Sequence, residues 1–198
     1  MLRFGRSVHC FSLGRALMQG MRRLALTGSP AAGKSTVCML LGVDDFILLT
    51  VEGLAKENEC IGNLDLKDDS RPIDLELLSE KLWRSWGESP DRMTIVDGHL
   101  SHLLPVDGVI VLRCSPSKLR ARQEERGYSR EKIDANCEWE FIGGAWNEYD
   151  SSVPWTEFDT SEIPVESIVE HIRSWISDGF KPKTPNSALD WIEQGEIE

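Results

Sequence analysis

An eight-residue segment near the beginning of the chain, GSPAAGKS at positions 28–35, restricts the possible folds more than any other feature. It matches the pattern Gly-x-x-x-x-Gly-Lys-Ser of a phosphate-binding loop, in which glycines allow a tight turn around an anion. A short apolar run precedes it at residues 24–27, and another apolar stretch follows at residues 34–41. Because strand, loop and helix signals occur in the required order, the segment predicts a nucleotide phosphate site; the alternative is a glycine-rich turn that caps an ordinary helix.

The residue types within this loop predict how it would hold a nucleotide. We expect backbone N–H groups of the loop and of the following helix N-terminus to point at the phosphates of ATP. Lys34 is expected to bridge the β- and γ-phosphates, and Ser35 to place its hydroxyl on Mg²⁺. The residues predicted to contact ATP in this segment are Pro30, Ala31, Ala32, Gly33, Lys34, Ser35 and Thr36.

From residue 22 onward the chain alternates short apolar runs with longer amphipathic stretches. This pattern is typical of βαβ units, in which helices cover both faces of a parallel sheet. The predicted strands are residues 24–27, 46–50, 93–97, 109–113 and 155–159. The predicted helices are residues 34–41, 51–58, 75–86, 116–126, 130–149 and 164–176. The fold class is therefore α/β, with a five-stranded parallel sheet flanked by helices over residues 21–178.

The composition argues against several classes of protein. There are 33 acidic and 22 basic residues, and the resulting net charge of −11 disfavours general binding to nucleic acid. The five scattered cysteines contain no Cys-x-x-Cys pair, which argues against a zinc site and fits a reducing, cytoplasmic location. No apolar run approaches the about 20 residues that a membrane-spanning helix needs.

The two ends of the chain differ from its body. Residues 1–20 contain Arg3, Arg6 and Arg15 but no acidic residue. This leader is either an organelle-targeting segment or a dispensable, mis-assigned extension, with Met21 as the real start. Residues 179–198 are rich in turn-forming residues, and we expect them to form a loosely held tail.

A predicted strand next to the phosphate loop ends in an acidic residue, Asp97. A carboxylate at that position can orient the Mg²⁺ shell through water, although a strand-terminal turn aspartate is the alternative. His99 follows two residues later and is a candidate for orienting water or a phosphoryl group. A single loop histidine is also common as an ordinary hydrogen-bonded residue, so both interpretations of His99 stay open.

Three further segments follow one another at characteristic spacings. They are VDGHLSHLLP at residues 96–105, VIVLR at residues 109–113, and RGYS-x-x-KI-x-x-N-x-E at residues 126–138. Together, and over about residues 21–176, they resemble the atypical adenylate kinases of the isoenzyme 6 type. Proteins of that family occur in archaea and eukaryotes and also act as ribosome-assembly factors. The resemblance implies an NMP-kinase-like fold with an AMP-binding insert and a short lid without zinc.

The resemblance also implies where the substrates bind. The AMP-binding insert would span about residues 50–73, with Gly53 and Lys56 in its AMP-binding segment. Lys56 replaces the family's usual arginine, which weakens bidentate recognition of a phosphate. The lid would span about residues 125–135, with Arg126 clamping the ATP phosphates. The alternative for Arg126 is an arginine that complements the dipole at a helix C-terminus.

The resemblance also gives an interpretation of three more positions. Asp97 and His99 match the family's Asp-x-His segment, whose acid and histidine are tied to catalysis. Ala31 stands where the family usually has glycine, and alanine is tolerable there only if its φ stays negative.

The expected activity is that of a nucleoside-monophosphate kinase that converts ATP and AMP into two ADP and also hydrolyses ATP. The expected catalytic residues are Lys34, Asp97, His99 and Arg126, with Mg²⁺ held by Ser35 and, through water, by Asp97. One alternative is an ATP-driven assembly factor that binds a basic ribosomal protein and has weak kinase turnover. Another is a kinase of a different small molecule.

Overall fold

The predicted strands form one parallel sheet in the structure, a computed structural model that describes residues 22–42, 45–63, 71–185 and 188–195. Each strand begins within one residue of its predicted position and ends where predicted. The strands are β1 (Arg23–Thr27), β2 (Ile47–Thr50), β3 (Thr94–Asp97), β4 (Gly108–Arg113) and β5 (Trp155–Asp159). The five-stranded parallel sheet expected from the sequence is therefore confirmed.

The strands lie in the order β2-β3-β1-β4-β5, so that β1 occupies the centre of the sheet. Asp97, at the end of β3, is paired with Leu26 of β1 on one side and with Thr50 of β2 on the other. Because all strands run in the same direction, their carboxyl ends meet at one edge. Ligands of open α/β sheets bind at this edge.

Helices cover both faces of the sheet. They are α1 (Lys34–Leu41), α2 (Val51–Glu57), α3 (Leu75–Ser85), α4 (Pro116–Glu125), α5 (Arg130–Phe141), α6 (Gly144–Asn147) and α7 (Val165–Ser177). On one face, α1 and α7 bury side chains that include Val37, Leu41, Ile168 and Ile172. On the other face, α2 and α3 pack against β3 through side chains that include Leu54, Leu78, Leu82 and Val96. Burial on both faces explains why β1 and β4 read as continuous apolar runs.

One predicted helix, residues 130–149, is wrong in its extent, because α5 ends at Phe141 and α6 begins only at Gly144. Gly143 has a φ of 66°, in the left-handed region that strains any residue with a side chain. A glycine in this conformation is a common way to end a helix. After the break, the indole N–H of Trp146 donates to a carboxylate oxygen of Glu157 at 2.8 Å.

The C-terminal segment, in the part that the structure describes, is not the loosely held tail expected from its composition. Phe180 and Trp191 are buried, with exposed fractions of 4% and 1%. The backbone N–H of Trp155 in β5 donates to the carbonyl of Lys183 at 2.7 Å. This hydrogen bond attaches the segment to β5, which is an edge strand of the sheet. Two large aromatic side chains offset the cost of ordering this polar segment. The predicted leader, residues 1–20, lies outside the described residues.

The predicted AMP-binding insert begins with α2 and is closed at its base. Ile61 and Ile73 form an antiparallel bridge, and the N–H of Gly62 donates to the carbonyl of Pro72 at 2.8 Å. Residues 64–70 lie outside the described part of the chain. Among the helices that the structure describes, none is both long and apolar enough to cross a membrane.

Candidate functional site

A cavity of about 710 Å³ opens at the carboxyl ends of the strands, beside the phosphate loop. It brings together the four residues predicted to be catalytic, namely Lys34, Asp97, His99 and Arg126. The other lining residues are Pro30, Ala31, Gly33, Ser35, Thr36, Thr50, Val51, Glu52, Arg71, Ile73, Leu75, Gly98 and Leu100. Residues from five separate segments of the chain thus converge on one site.

The phosphate loop has the tight geometry that its glycines permit. Gly28 has a φ of 132°, and a Cβ atom at this position would lie 2.1 Å from the carbonyl oxygen of Leu112. The ammonium of Lys34 donates to the carbonyl oxygens of Gly28 at 2.7 Å and Ser29 at 3.0 Å. Lys34 is therefore held over its own loop, and a nucleotide would have to replace these carbonyls with phosphate oxygens.

The environment of Lys34 lowers the pKa of its ammonium, although the side chain stays mainly charged below about pH 8. Burial lowers the pKa of Lys34 from 10.5 to about 8, the nearby Asp97 carboxylate opposes this shift, and Arg126 adds to it. A phosphate bound at the loop would favour the charged ammonium, because opposite charges in a partly buried site attract strongly. Nucleotide binding and the protonation of Lys34 are therefore expected to be linked.

This linkage predicts that ATP affinity falls at alkaline pH. Below about pH 8, Lys34 is charged before and after binding, so affinity is flat; above it, binding must take up a proton. We expect the dissociation constant of a non-hydrolysable ATP analogue to rise by up to about tenfold per pH unit above that point. The measurement is a titration between about pH 7 and about pH 9.5. Lys34→Arg is the control, because an arginine stays charged over this range and its profile should be flat.

Ala31 does not meet the condition expected for alanine at this position. Its φ is 72°, in the left-handed region, and its side chain is almost fully buried. The expectation of a negative φ is wrong, because the path of the loop around the phosphate site imposes the conformation that a glycine would adopt freely. The strain of one such residue is about 1–2 kcal/mol.

Replacing Ala31 with glycine is expected to stabilise the protein by about 0.5–1 kcal/mol, because the relieved strain exceeds the extra entropy of glycine in the unfolded chain. Urea unfolding of both proteins at one pH measures this difference. Ala32→Gly is the matched control, since Ala32 is also buried and has no positive φ. That control should destabilise the protein, and an equal loss in both variants would contradict the strain at Ala31.

Asp97 and His99 lie beside the loop in different electrostatic states. Burial raises the pKa of Asp97, while the ammonium of Lys34 opposes the shift. Its Oδ1 atom is buried and has no hydrogen-bond partner among the described residues. The Nδ1 atom of His99 lies 3.1 Å from the carbonyl oxygen of Gly28, which can only accept, so Nδ1 carries the proton. Burial lowers the pKa of His99, and the neutral ring therefore presents Nε2 as an acceptor.

Side chains that the sequence did not single out hold His99 in place. The His99 ring lies edge-to-face against Trp139, with ring centroids 4.5 Å apart. The hydroxyl of Thr27 lies 2.5 Å from the His99 carbonyl oxygen and 2.8 Å from Nδ1 of His102. The Nε2 atom of His102 lies 2.7 Å from a carboxylate oxygen of Glu148. Nothing in the spacing of His102, Trp139 and Glu148 along the chain indicates that they meet.

A second cavity, of about 410 Å³, lies on another side of the phosphate loop. Thr36 and Arg126 line both cavities, whereas Arg122 lines only this one. Arg122 donates to the carbonyl oxygen of Thr160 at 2.8 Å, which joins helix α4 to the loop after β5. The sequence did not identify Arg122, because it lies within a predicted amphipathic helix rich in charged residues.

The two residues predicted to bind AMP, Gly53 and Lys56, both lie on helix α2 but in different surroundings. The N–H of Gly53 donates to the Thr50 hydroxyl at 3.0 Å and so caps helix α2. Lys56 is exposed on the same helix and does not line either cavity, whereas Arg71, which the sequence did not single out, lines the larger one. The AMP-binding roles of Gly53 and Lys56 stay predictions.

The chain is similar over most of its length to proteins named as putative adenylate kinases. The family model described as an AAA domain matches residues 24–143. The "Putative adenylate kinase" of Pyrococcus abyssi is 35% identical over 175 residues, which cover 86% of this chain and 91% of that protein. The protein of the same name from Archaeoglobus fulgidus is 34% identical and covers 87% of this chain and 93% of its own length.

Solved structures share the fold at low sequence identity. TT1252 from Thermus thermophilus matches with a TM-score of 0.53 and 15% identity, over 78% of this chain and 97% of that chain. A deoxyadenosine kinase from M. mycoides, solved with dCMP and dCDP, matches with a TM-score of 0.50 and 18% identity. That match covers 79% of this chain and 99% of the kinase.

Proposed function

The chain belongs to the AAA domain family and to a family of adenylate-kinase-like proteins, and we propose that it is a nucleoside-monophosphate kinase that converts ATP and AMP into two ADP. One observation carries this proposal: two cavities adjoin the phosphate loop and share the lining residues Ala31, Gly33, Thr36 and Arg126. A kinase of this class needs two nucleotide sites whose phosphates meet, and a site for ATP hydrolysis alone needs only one.

The proposal assigns one nucleotide to each cavity. The ATP phosphates would lie on the loop residues 30–36, with the base extending into the cavity lined by Arg122 and Thr160. The larger cavity, which Arg71 lines, would take AMP. Arg126, which lines both, is then positioned to contact phosphates of either nucleotide.

The residues present fit a Mg²⁺ ion shared with the nucleotide. Asp97 offers a buried carboxylate oxygen without a partner among the described residues, and Ser35 offers an exposed hydroxyl at the start of α1. In the described part of the chain, no group of three or more His, Cys, Asp or Glu residues could hold a metal alone. Mg²⁺ typically uses one or two protein groups and completes its shell with phosphates and water. When bound, it would neutralise charge on the transferred phosphoryl group.

The chain's own residues would contribute positioning and charge. Phosphoryl transfer has a loose transition state, so holding the two nucleotides in line supplies most of the catalysis. Lys34 and Arg126 offset negative charge on the transferred group. The Nε2 atom of His99 can accept a proton from, or orient, the attacking hydroxyl or water. If water enters the larger cavity instead of AMP, the same arrangement would hydrolyse ATP, and this is the ATPase activity that we propose beside the kinase activity.

An acceptor panel tests the proposal. We expect AMP to stimulate ADP formation from Mg-ATP above the rate without acceptor, and to yield two ADP for each AMP consumed. dAMP and CMP test how strictly the larger cavity selects its base. ADP release that no nucleotide acceptor stimulates would contradict kinase activity and leave ATP hydrolysis.

The net charge of −11 favours one second candidate, an ATP-driven assembly factor of the isoenzyme 6 type that binds a basic ribosomal protein. Attraction between an acidic surface and a basic partner weakens with ionic strength. We expect the affinity for such a protein to fall between low and high salt. Binding that is unchanged by salt would contradict an electrostatic interaction with this surface.

A further inference from the structure

A cluster of buried charged side chains joins the phosphate loop to the C-terminal segment. The carboxylate of Glu140, at the end of α5, is completely buried. Its Oε2 atom accepts from the hydroxyl of Ser29 in the phosphate loop at 2.7 Å. Its Oε1 atom accepts from Nε of Arg113 at 2.5 Å and from the indole N–H of Trp191 at 3.0 Å. One carboxylate thus contacts the loop, the sheet and the C-terminal segment.

The cluster contains more acid than base. Arg113 also donates from Nη1 to Glu157 at 3.2 Å, so two carboxylates share one guanidinium. A buried carboxylate is costly unless hydrogen-bond donors satisfy its oxygens. Trp191 supplies such a donor to Glu140, and the backbone N–H of Leu189 supplies one to Glu157 at 2.7 Å. The C-terminal segment therefore supplies neutral hydrogen-bond donors that stabilise both buried carboxylates.

Ser29 connects this cluster to the nucleotide site through two hydrogen bonds. Its side chain is fully buried and its hydroxyl bonds Glu140, while its carbonyl oxygen accepts from the ammonium of Lys34 at 3.0 Å. A shift of the Glu140 carboxylate would move or release the Ser29 side chain. The backbone of Ser29 would follow, and with it the loop that would hold the ATP phosphates.

We propose that Trp191 is a positioning residue for the phosphate loop and that residues 188–195 of the C-terminal segment thereby set the affinity for ATP. The indole N–H of Trp191 fixes the Glu140 carboxylate in the orientation that anchors Ser29. The guanidinium of Arg113 lies 5.4 Å from the Trp191 ring centroid and holds the ring from its face. This inference rests on the proposed function only in taking ATP as the ligand of the loop.

The test compares two conservative tryptophan variants. Trp191→Phe keeps a buried aromatic ring but removes the donor to Glu140. Trp175→Phe is the matched control, because Trp175 is also buried and its indole N–H donates at 3.0 Å to the carbonyl oxygen of Pro182. Hydrogen exchange of residues 28–35 is measured in the nucleotide-free proteins, together with the dissociation constant of a non-hydrolysable ATP analogue and Tm.

Trp191→Phe should speed hydrogen exchange across residues 28–35 and raise the dissociation constant of the ATP analogue about fivefold. A loss of about fivefold in affinity is smaller than the full contribution of one hydrogen bond to a charged group. Trp175→Phe should lower Tm without either effect. Ser29→Ala cuts the same link at the loop, without altering the aromatic core, and should reproduce both changes. Adding Trp191→Phe to Ser29→Ala should then cause no further loss of affinity.

Equal exchange in the two tryptophan variants would overturn the inference, and so would an undiminished effect of Trp191→Phe in the Ser29→Ala background. If Trp191→Phe does not fold, Ser29→Ala alone tests the inference. Wild-type hydrogen exchange of the loop and wild-type affinity in Ser29→Ala would show that the Ser29–Glu140 hydrogen bond does not affect the nucleotide site. A wild-type protein that binds the ATP analogue but does not phosphorylate AMP would refute the proposed acceptor alone. The exchange measurement needs no nucleotide, so its outcome is independent of the proposed function.

Discussion

Lys34→Ala is expected to lower the rate of ATP-dependent phosphoryl transfer by about 10³-fold, because it removes the positive charge that the loop holds for the β- and γ-phosphates. The fold should survive, since within the described residues the Lys34 ammonium donates to two carbonyl oxygens of its own loop and to no other element. Steady-state rates with saturating Mg-ATP and AMP measure the loss, and the unfolding midpoint checks the fold.

Lys183→Ala is the matched control for this variant. Lys183 is an exposed lysine of the C-terminal segment, so its replacement removes the same charge away from either cavity. We expect its rates to equal those of the wild type. A Lys34→Ala protein that retains more than about a tenth of the activity would contradict the assignment of the phosphate loop.

Asp97→Asn and His99→Ala are expected to fail in different ways. Asp97→Asn keeps the shape of the side chain but loses the charge that would orient the Mg²⁺ shell, so kcat should fall by about 10²–10³-fold. The Mg²⁺ concentration needed for half-maximal rate should rise in the same variant. Asp107→Asn is the control, because Asp107 precedes β4 at the opposite edge of the sheet and accepts from the N–H of Arg23 at 2.8 Å.

His99→Ala should lower turnover by about 10²-fold and leave ATP binding nearly unchanged, because a positioning group acts mainly in the transition state. AMP phosphorylation and ATP hydrolysis use different nucleophiles, so the two rates need not fall equally. A histidine that orients water would affect hydrolysis more. Wild-type rates in both assays would make His99 an ordinary hydrogen-bonded loop residue and leave Asp97 as the functional residue of that segment.

Local sequence patterns were sufficient to predict those features that depend on residues close together in the chain. The phosphate loop is of this kind, because its glycines, Lys34 and Ser35 lie within eight residues and act largely through their own backbone. The strands are also of this kind, since burial on both faces of a parallel sheet produces short apolar runs. For the same reason, the helix break at Gly143 was visible in principle, as a glycine pair inside a predicted helix.

Features that depend on distant parts of the chain were missed or mistaken. Trp139 lies 40 positions after His99, yet its ring contacts the histidine edge-to-face. Arg71 lines the larger cavity and Arg122 lines the smaller one, although neither belongs to a recognised motif. The backbone conformation of Ala31 was also misjudged, because the surrounding loop imposes it.

The sequence by itself thus determined the fold class, the position of the phosphate loop, and Asp97 and His99 as candidates at a strand end. Only the tertiary structure decided the strand order, the two cavities that adjoin the loop, and the burial of Trp191 beside Glu140. The physical reason is that hydrophobic periodicity and glycine geometry are set by neighbouring residues, whereas the neighbours of a buried charge are set by long-range packing. Glu140 illustrates this: in the sequence it is one acid of a helix, and in the fold it joins the phosphate loop to the C-terminal segment.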